Sequence, residues 1–286
     1  MGKNIVVFGA GFLGTRLSRD LAGATLSRVD ITDPAAVDRV LADFAPSAVV
    51  NAAGKTGKPN VDWCDVNQVA TYKSNVTGPM VLAEACAKHA THLVHLGSGC
   101  IFYGDSPTPG GWLENDYANP SAFYSRCKYA ADLVLAQLPN VATLRLRMPI
   151  DSEPGPRNLI SKLASYKQVV DVENSVTVVE DLVSVVAGVI ERRASGVFHA
   201  TNPGTMRHRE LLAIYRELVS PSHQTEFIGE SDLVRRGLAS RARSNCILAS
   251  PRLSAIGLEM RPITVALRDV MTKFAVAARS AETNPS

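Results

Sequence analysis

A chain of 286 residues with 30 basic and 27 acidic side chains can bury a full core, as one large domain or two unequal lobes. Its formal charge of +3 is small and its basic residues are scattered, which argues against nucleic-acid binding. No run nears the roughly 20 apolar residues that span a membrane, and the apolar stretch 5–14 is broken by three glycines, so it suits a strand and turn and not a secretory signal.

The first element, Ile5 to Phe8, is a continuous apolar run suited to a buried parallel strand. Gly9, Gly11 and Gly14 follow as G-x-G-x-x-G, with Phe12 and Leu13 inside the motif and a helix from Thr15 onward. The first two glycines permit a tight turn and close approach to a pyrophosphate. The third permits helix–strand packing, and the helix N-terminus faces the phosphates. Placed between a strand and a helix, the motif predicts dinucleotide binding. A second short strand ends at Ser27 and Arg28, where an arginine can receive a 2′-phosphate. NADPH is therefore the expected cofactor, with NADH the alternative. Asp30 is assigned to the adenine, or to capping a turn, and Ile31 is also expected at the cofactor. Asp33-Pro34 reads as N-cap and first residue of a helix over 34–44.

Strand 47–50, a long helix near 66–89, strand 92–96, helix 121–137 and strand 141–147 continue the alternation. The order predicts an α/β fold with a doubly wound parallel sheet, right-handed crossovers and functional residues at the C-terminal strand ends. Asn51-Ala52-Ala53 and Gly97-Ser98-Gly99-Cys100 fall at such ends. Prolines between 149 and 156 mark a departure from the sheet, and 197–204 reads as one more strand returning to it. The expected division is a dinucleotide-binding part over 1–152 with a returning segment near 170–202. A smaller mixed α/β substrate lobe over 153–169 and 203–279 completes it, with a flexible tail at 280–286.

Tyr124 and Lys128 stand four apart in AFYSRCK, which stacks them on one helical face. An ammonium roughly 4 Å from a phenol, at an effective dielectric of about 20, favours the phenolate by about 4 kcal/mol, or roughly 3 pKa units. The expectation is a tyrosine brought near neutrality, where acid–base catalysis works best. Ser98 and Cys100, two apart in extended backbone, should point to one side, with Gly97 and Gly99 leaving room for a ligand. Five cysteines without a C-x-x-C pair suggest reduced thiols and a cytoplasmic location, and six scattered histidines show no metal-ligand spacing, so no metal is expected.

Together the glycine turn, NAAG, Asn75, Ser98 and Tyr124-x-x-x-Lys128 resemble an extended short-chain dehydrogenase/reductase with a Rossmann sheet. The segments NAAGKTGKPNVDWCD, GSGCIFYGDS, AFYSRCK, LRLRMPI, PRNLISK, TNPG and RSN are similar to the sugar-nucleotide branch. Within it they resemble the dTDP-4-dehydrorhamnose reductases and, more closely, the plant-type nucleotide-rhamnose synthases, which join a 3,5-epimerase to a 4-reductase. The glycine turn is one residue shorter than the usual G-x-x-G-x-x-G of that branch, which bears on cofactor preference.

The resemblance implies a UDP- or dTDP-linked 4-keto-6-deoxyglucose as substrate, with the L-rhamnose nucleotide as product. Ser98 and Tyr124 would hold the ketone oxygen, Tyr124 would give the proton, and Lys128 would bind the nicotinamide ribose. Asn75 would order a water relaying protons to Lys128. Hydrogens at C3 and C5 lie alpha to the carbonyl, and inversion needs a base on one face and an acid on the other. The family positions for these match Cys100 and Lys162. Lys58, Asp62 and Trp63 are expected beside the sugar, and Arg157, Asn158, Arg243 and Asn245 beside the nucleotide diphosphate. A reductase alone, or a non-catalytic nucleotide-binding subunit, are the rival readings. A homodimer is left open, and neither nucleic acid nor membrane is an expected partner.

Overall fold

A computed structural model of the chain describes residues 4–58 and 60–283, with side chains through 280. Short, wholly buried runs of β-branched and aliphatic residues form the first strands: β1 Ile5–Phe8, β3 Ala48–Asn51 and β4 His92–Ser98. With β2 Ala24–Ser27, β5 Val141–Leu146 and the strand Gly196–His199 they make one six-stranded sheet. Its order is Gly196–His199, β5, β4, β3, β1, β2, every pair parallel.

The helices are α1 Phe12–Asp20, α2 Pro34–Phe44, α3 Trp63–Val66, α4 Gln68–Tyr72, α5 Gly78–Lys88, α6 Phe123–Leu135, α7 Leu159–Ser165, α8 Val179–Arg192 and α9 His208–Leu218. Because strand side chains alternate, Ile5 and Val7 pack with Leu17 and with Leu182, Val185 and Val189 of α8 on one face. Val6 and Phe8 pack with Val37, Leu82 and Leu135 of α2, α5 and α6 on the other. The sheet is thus doubly wound, as the alternation of elements predicts. Chain order reverses between β1 and β3, and a ligand crevice opens outside the carboxyl ends of strands at such a point.

A second core lies beyond the sheet. Ile150, Ile160, Val176, Met206, Leu211, Leu267 and Phe274 meet there, beneath three two-stranded pairings and the helix Ile263–Thr283. That helix includes 280–283, which corrects the expected tail there; 284–286 lie outside the described residues. The long helix expected near 66–89 is corrected to α3, α4, a π-helical turn over Lys73–Thr77, and α5. No helix among the described residues is long and apolar enough to cross a membrane.

Candidate active site

The glycine turn is built by backbone proximity. Gly9 has φ +101°, and a Cβ there would lie 2.4 Å from Ala53 N, while one on Gly14 would lie 1.8 Å from Gly9 O. Any side chain at either place would force β1, α1 and the Asn51–Ala53 turn apart. Gly11 faces open space, with nothing within 4 Å of its ideal Cβ. As N-cap of α1 it makes no side-chain cap bond, and the first turn holds no acid. The N-terminal amides of α1 are therefore free for an anion, which fits a dinucleotide diphosphate. Phe12 and Leu13 occupy that first turn, both partly exposed.

Arg28 is exposed at the end of β2 and makes no ion pair among the described residues. A cleft of about 740 Å³ is lined by Asp30, Thr32, Lys55, Val66, Asn67 and Lys73 among others. Asp30 caps a turn: its carboxylate accepts from Thr32 N and Oγ1, both at 2.9 Å, and these bonds hold it below the usual carboxylate range. Two of the expected cofactor residues have buried side chains. The Ile31 side chain is 3% exposed and fills the space above Gly78. That of Asn51 is fully buried, accepting from Ala53 N at 3.0 Å and meeting His95 Nδ1 at 3.0 Å. Ala52 and Ala53 remain partly exposed at the crevice.

Tyr124 lies in the first turn of α6, partly exposed, with its phenol near Ser98 at the end of β4. Burial, and then the neighbouring Cys100, push its pKa up, whereas Ser98 works downward. The expectation of a phenol near neutrality is thus corrected. Lys128 turns to the sheet, with Nζ 2.8 Å from Leu96 O and 3.0 Å from His95 Nε2. Burial brings its own pKa down to about 8, with Asp132 opposing.

Cys100 sits in a single 3₁₀ turn after β4, so the extended alternation expected of Ser98 and Cys100 does not apply. They meet through a bond instead, Cys100 N donating to Ser98 Oγ at 3.2 Å. The glycines beside them serve packing: a Cβ on Gly97 would lie 2.8 Å from Thr143 Cγ2, and one on Gly99 2.6 Å from Leu248 Cδ1. That corrects the expected room for a ligand. Cys100 Sγ lies 2.8 Å from Arg147 Nη1. Arg147 is 1% exposed, its Nη2 donates to Asn174 Oδ1 and Ser244 O, and its Nε has no partner. Among the described residues it has no carboxylate, which leaves a buried cation beside a thiol. Arg147 and His95 were not singled out in the sequence, although a charged or titratable side chain inside an apolar strand pattern is a readable signal.

Asn75 lies in the π-helical turn, 1% exposed, its amide donating to Lys55 O and Thr71 O, both at 2.9 Å. Both donors are thereby committed, so the role of ordering a relay water falls only to Oδ1, which faces Gly54. Lys162 is half-buried on α7, its pKa lowered by burial and then by Arg157. Arg157 reaches across to Thr56 Oγ1 at 2.7 Å. Lys58 is exposed on the same loop, and Trp63 lies below it with Lys55 Nζ 6.0 Å from its ring centre.

Four of the expected substrate residues have intramolecular partners. Asn158 is fully buried and caps α7, bonding Asp151 O and Glu153 O. Asn245 joins Asn174 at 3.1 Å and Glu230 at 2.7 Å. Arg243 makes a two-pronged ion pair with Asp62, at 2.5 and 3.0 Å, which holds the Asp62 carboxyl below its usual range. That pair ties the 52–62 loop to the 240–245 loop.

Residues 3–276 match the family model described as the RmlD substrate binding domain. The bifunctional dTDP-4-dehydrorhamnose 3,5-epimerase/dTDP-4-dehydrorhamnose reductase of Arabidopsis thaliana is 42% identical over 62% of this chain. The match spans 61% of that protein, less than two thirds of its length. The dTDP-4-dehydrorhamnose reductase of Mycobacterium tuberculosis is 31% identical over 75% of each chain. Among solved structures, the L780 UDP-rhamnose synthase from Acanthamoeba polyphaga mimivirus superposes with a TM-score of 0.88 at 29% identity, over 95% of this chain and 99% of that one.

Proposed function

The chain belongs to the RmlD substrate-binding-domain family, and on that premise we propose that it converts a nucleotide-linked 4-keto-6-deoxyglucose to the β-L-rhamnose nucleotide. The reaction joins epimerisation at C3 and C5 to NADPH-dependent reduction at C4. The observation that carries this reading is the convergence of Ser98, Tyr124 and Cys100 at the carboxyl end of β4, with the Arg147 guanidinium against the thiol. The plant bifunctional relative and the viral UDP-rhamnose synthase support it.

The residues fit a dinucleotide through the open N-terminus of α1 and the exposed Arg28. A bound nicotinamide dinucleotide supplies hydride. Ser98 and Tyr124 hold the sugar ketone oxygen, and Tyr124, kept as the phenol by its raised pKa, gives the proton as the oxygen becomes hydroxyl. The same two donors stabilise the enolate when a hydrogen leaves C3 or C5. Cys100 works one face of the sugar and Lys162 the other, with Lys58 beside the sugar and Arg157 beside the diphosphate. The sugar nucleotide lies between the sheet edge and a lobe formed by 153–169 and 203–279.

A second reading, reduction alone, is favoured by the match to the mycobacterial reductase over 75% of each chain. One assay separates the two. The purified protein is incubated in D₂O with NADPH and the UDP- or dTDP-linked 4-keto-6-deoxyglucose, and the product is identified by NMR. Deuterium at both C3 and C5 of an L-rhamnose nucleotide supports the bifunctional reading. No turnover of the 4-keto-6-deoxyglucose nucleotide, with reduction of the 4-keto-rhamnose nucleotide, establishes the second.

A further inference from the structure

Three buried polar side chains on neighbouring elements form a hydrogen-bonded row beneath the site. Asn51 ends β3, His95 lies directly across from it on β4, and Lys128 comes down from α6. They are 0%, 0% and 3% exposed. A neutral imidazole donates from one nitrogen and accepts at the other, so the bonds along this row fix where its protons lie.

Asn51 Oδ1 accepts from Ala53 N at 3.0 Å. That orients the amide and leaves its Nδ2–H₂ facing His95 Nδ1 at 3.0 Å. Nδ1 must then accept, the ring proton sits on Nε2, and Nε2–H points at Lys128 Nζ 3.0 Å away. Nζ accepts it, as a neutral amine does and an ammonium cannot, while donating to Leu96 O at 2.8 Å. An ammonium reverses the two bonds to the His95 ring. It donates to Nε2, the ring proton moves to Nδ1, and Asn51 must turn Oδ1 to meet it, which releases Ala53 N–H. The net change is one proton taken from solvent.

We propose that His95 is a positioning residue that couples the proton on Lys128 to the Asn51–Ala53 turn. That turn presses on Gly9, whose ideal Cβ would lie 2.4 Å from Ala53 N. The row therefore joins Lys128 to the glycine turn that the sequence marks for a dinucleotide. The other charged or titratable groups near it are Tyr124 and Asp132 on α6 and Arg145 on β5, and Asp132 is paired with Arg145 at 2.9 Å. Burial and the Lys128 charge keep the His95 imidazole neutral, so it exchanges one neutral tautomer for the other.

The test is NMR of the ligand-free protein carrying ¹⁵N-histidine, with the His95 signals assigned by through-bond correlation in the wild type or by their loss in His95→Gln. The proton should sit on Nε2 above pH about 8 and on Nδ1 below it, where Lys128 takes up its proton. The two nitrogen signals should exchange character across that midpoint, and Lys128→Met should abolish the exchange. A single tautomer throughout the range from about pH 6 to about pH 10, or conversion to imidazolium within it, would overturn the coupling. Lys128's part in reduction rests on the proposed function, but this measurement does not. A negative result leaves the reaction standing, and an inactive enzyme leaves the coupling testable.

Discussion

Replacing Lys128 with methionine should change stability by an amount that depends on pH. Burial lowers the Lys128 pKa from 10.5 to about 8 in the folded chain. The unfolded chain therefore binds this proton more tightly, and folding an ammonium into the site carries a penalty. Below the folded value both states are protonated and the penalty is full, about 3 kcal/mol at 1.36 kcal/mol per unit. Between the two values the folded state is neutral while the unfolded state is still charged, so the penalty shrinks with rising pH; at pH 9.5 about 1 kcal/mol remains.

The methionine variant has no such penalty at any pH. It also loses the bonds to His95 and Leu96 O, at about 1 kcal/mol each, but that loss enters both pH values alike. The stability of the variant relative to wild type should therefore fall by about 2 kcal/mol between pH 7 and pH 9.5. Urea unfolding followed by circular dichroism, extrapolated to water at each pH, measures it. A relative stability that does not change with pH would refute a buried, proton-shedding Lys128.

The same site carries three further expectations. Tyr124→Phe keeps the ring and removes the proton donor, so turnover should fall by roughly 10²–10⁴ with cofactor affinity largely kept; near-normal NADPH oxidation would remove Tyr124 from the mechanism. Arg28→Ala should weaken NADPH more than NADH, because only the 2′-phosphate gains a charge-assisted bond there, and equal losses in a fluorescence titration would count against that contact. Cys100→Ser and Lys162→Ala should each fail on the 4-keto-6-deoxyglucose nucleotide yet still reduce the 4-keto-rhamnose nucleotide. Should Cys100→Ser make rhamnose as fast as wild type, the epimerase half of the reading falls and the reductase half survives.

What the sequence by itself determined was local. A buried apolar run, three glycines and a helix within about fifteen residues specify a strand–turn–helix through chain stiffness and sterics alone, and the later strands carry the same kind of signal. The Asp33-Pro34 helix start is equally local, with the Asp33 carboxylate accepting from Ala36 N. The spacing of Tyr124 and Lys128 put both on one helix, but helical spacing does not say what lies opposite. Packing of α6 over β4 aims Lys128 at His95, 33 positions earlier in the chain, and away from the role of lowering Tyr124. Tertiary structure likewise engages Asn158, Asn245 and the Asp62–Arg243 pair in ties between segments. It also set the buried Arg147 against Cys100 across 47 positions. A short polar side chain reads alike in sequence whether it caps a buried helix or meets a ligand. Which it does depends on the solvent left around it and on partners brought in from distant segments, and only the folded chain fixes those.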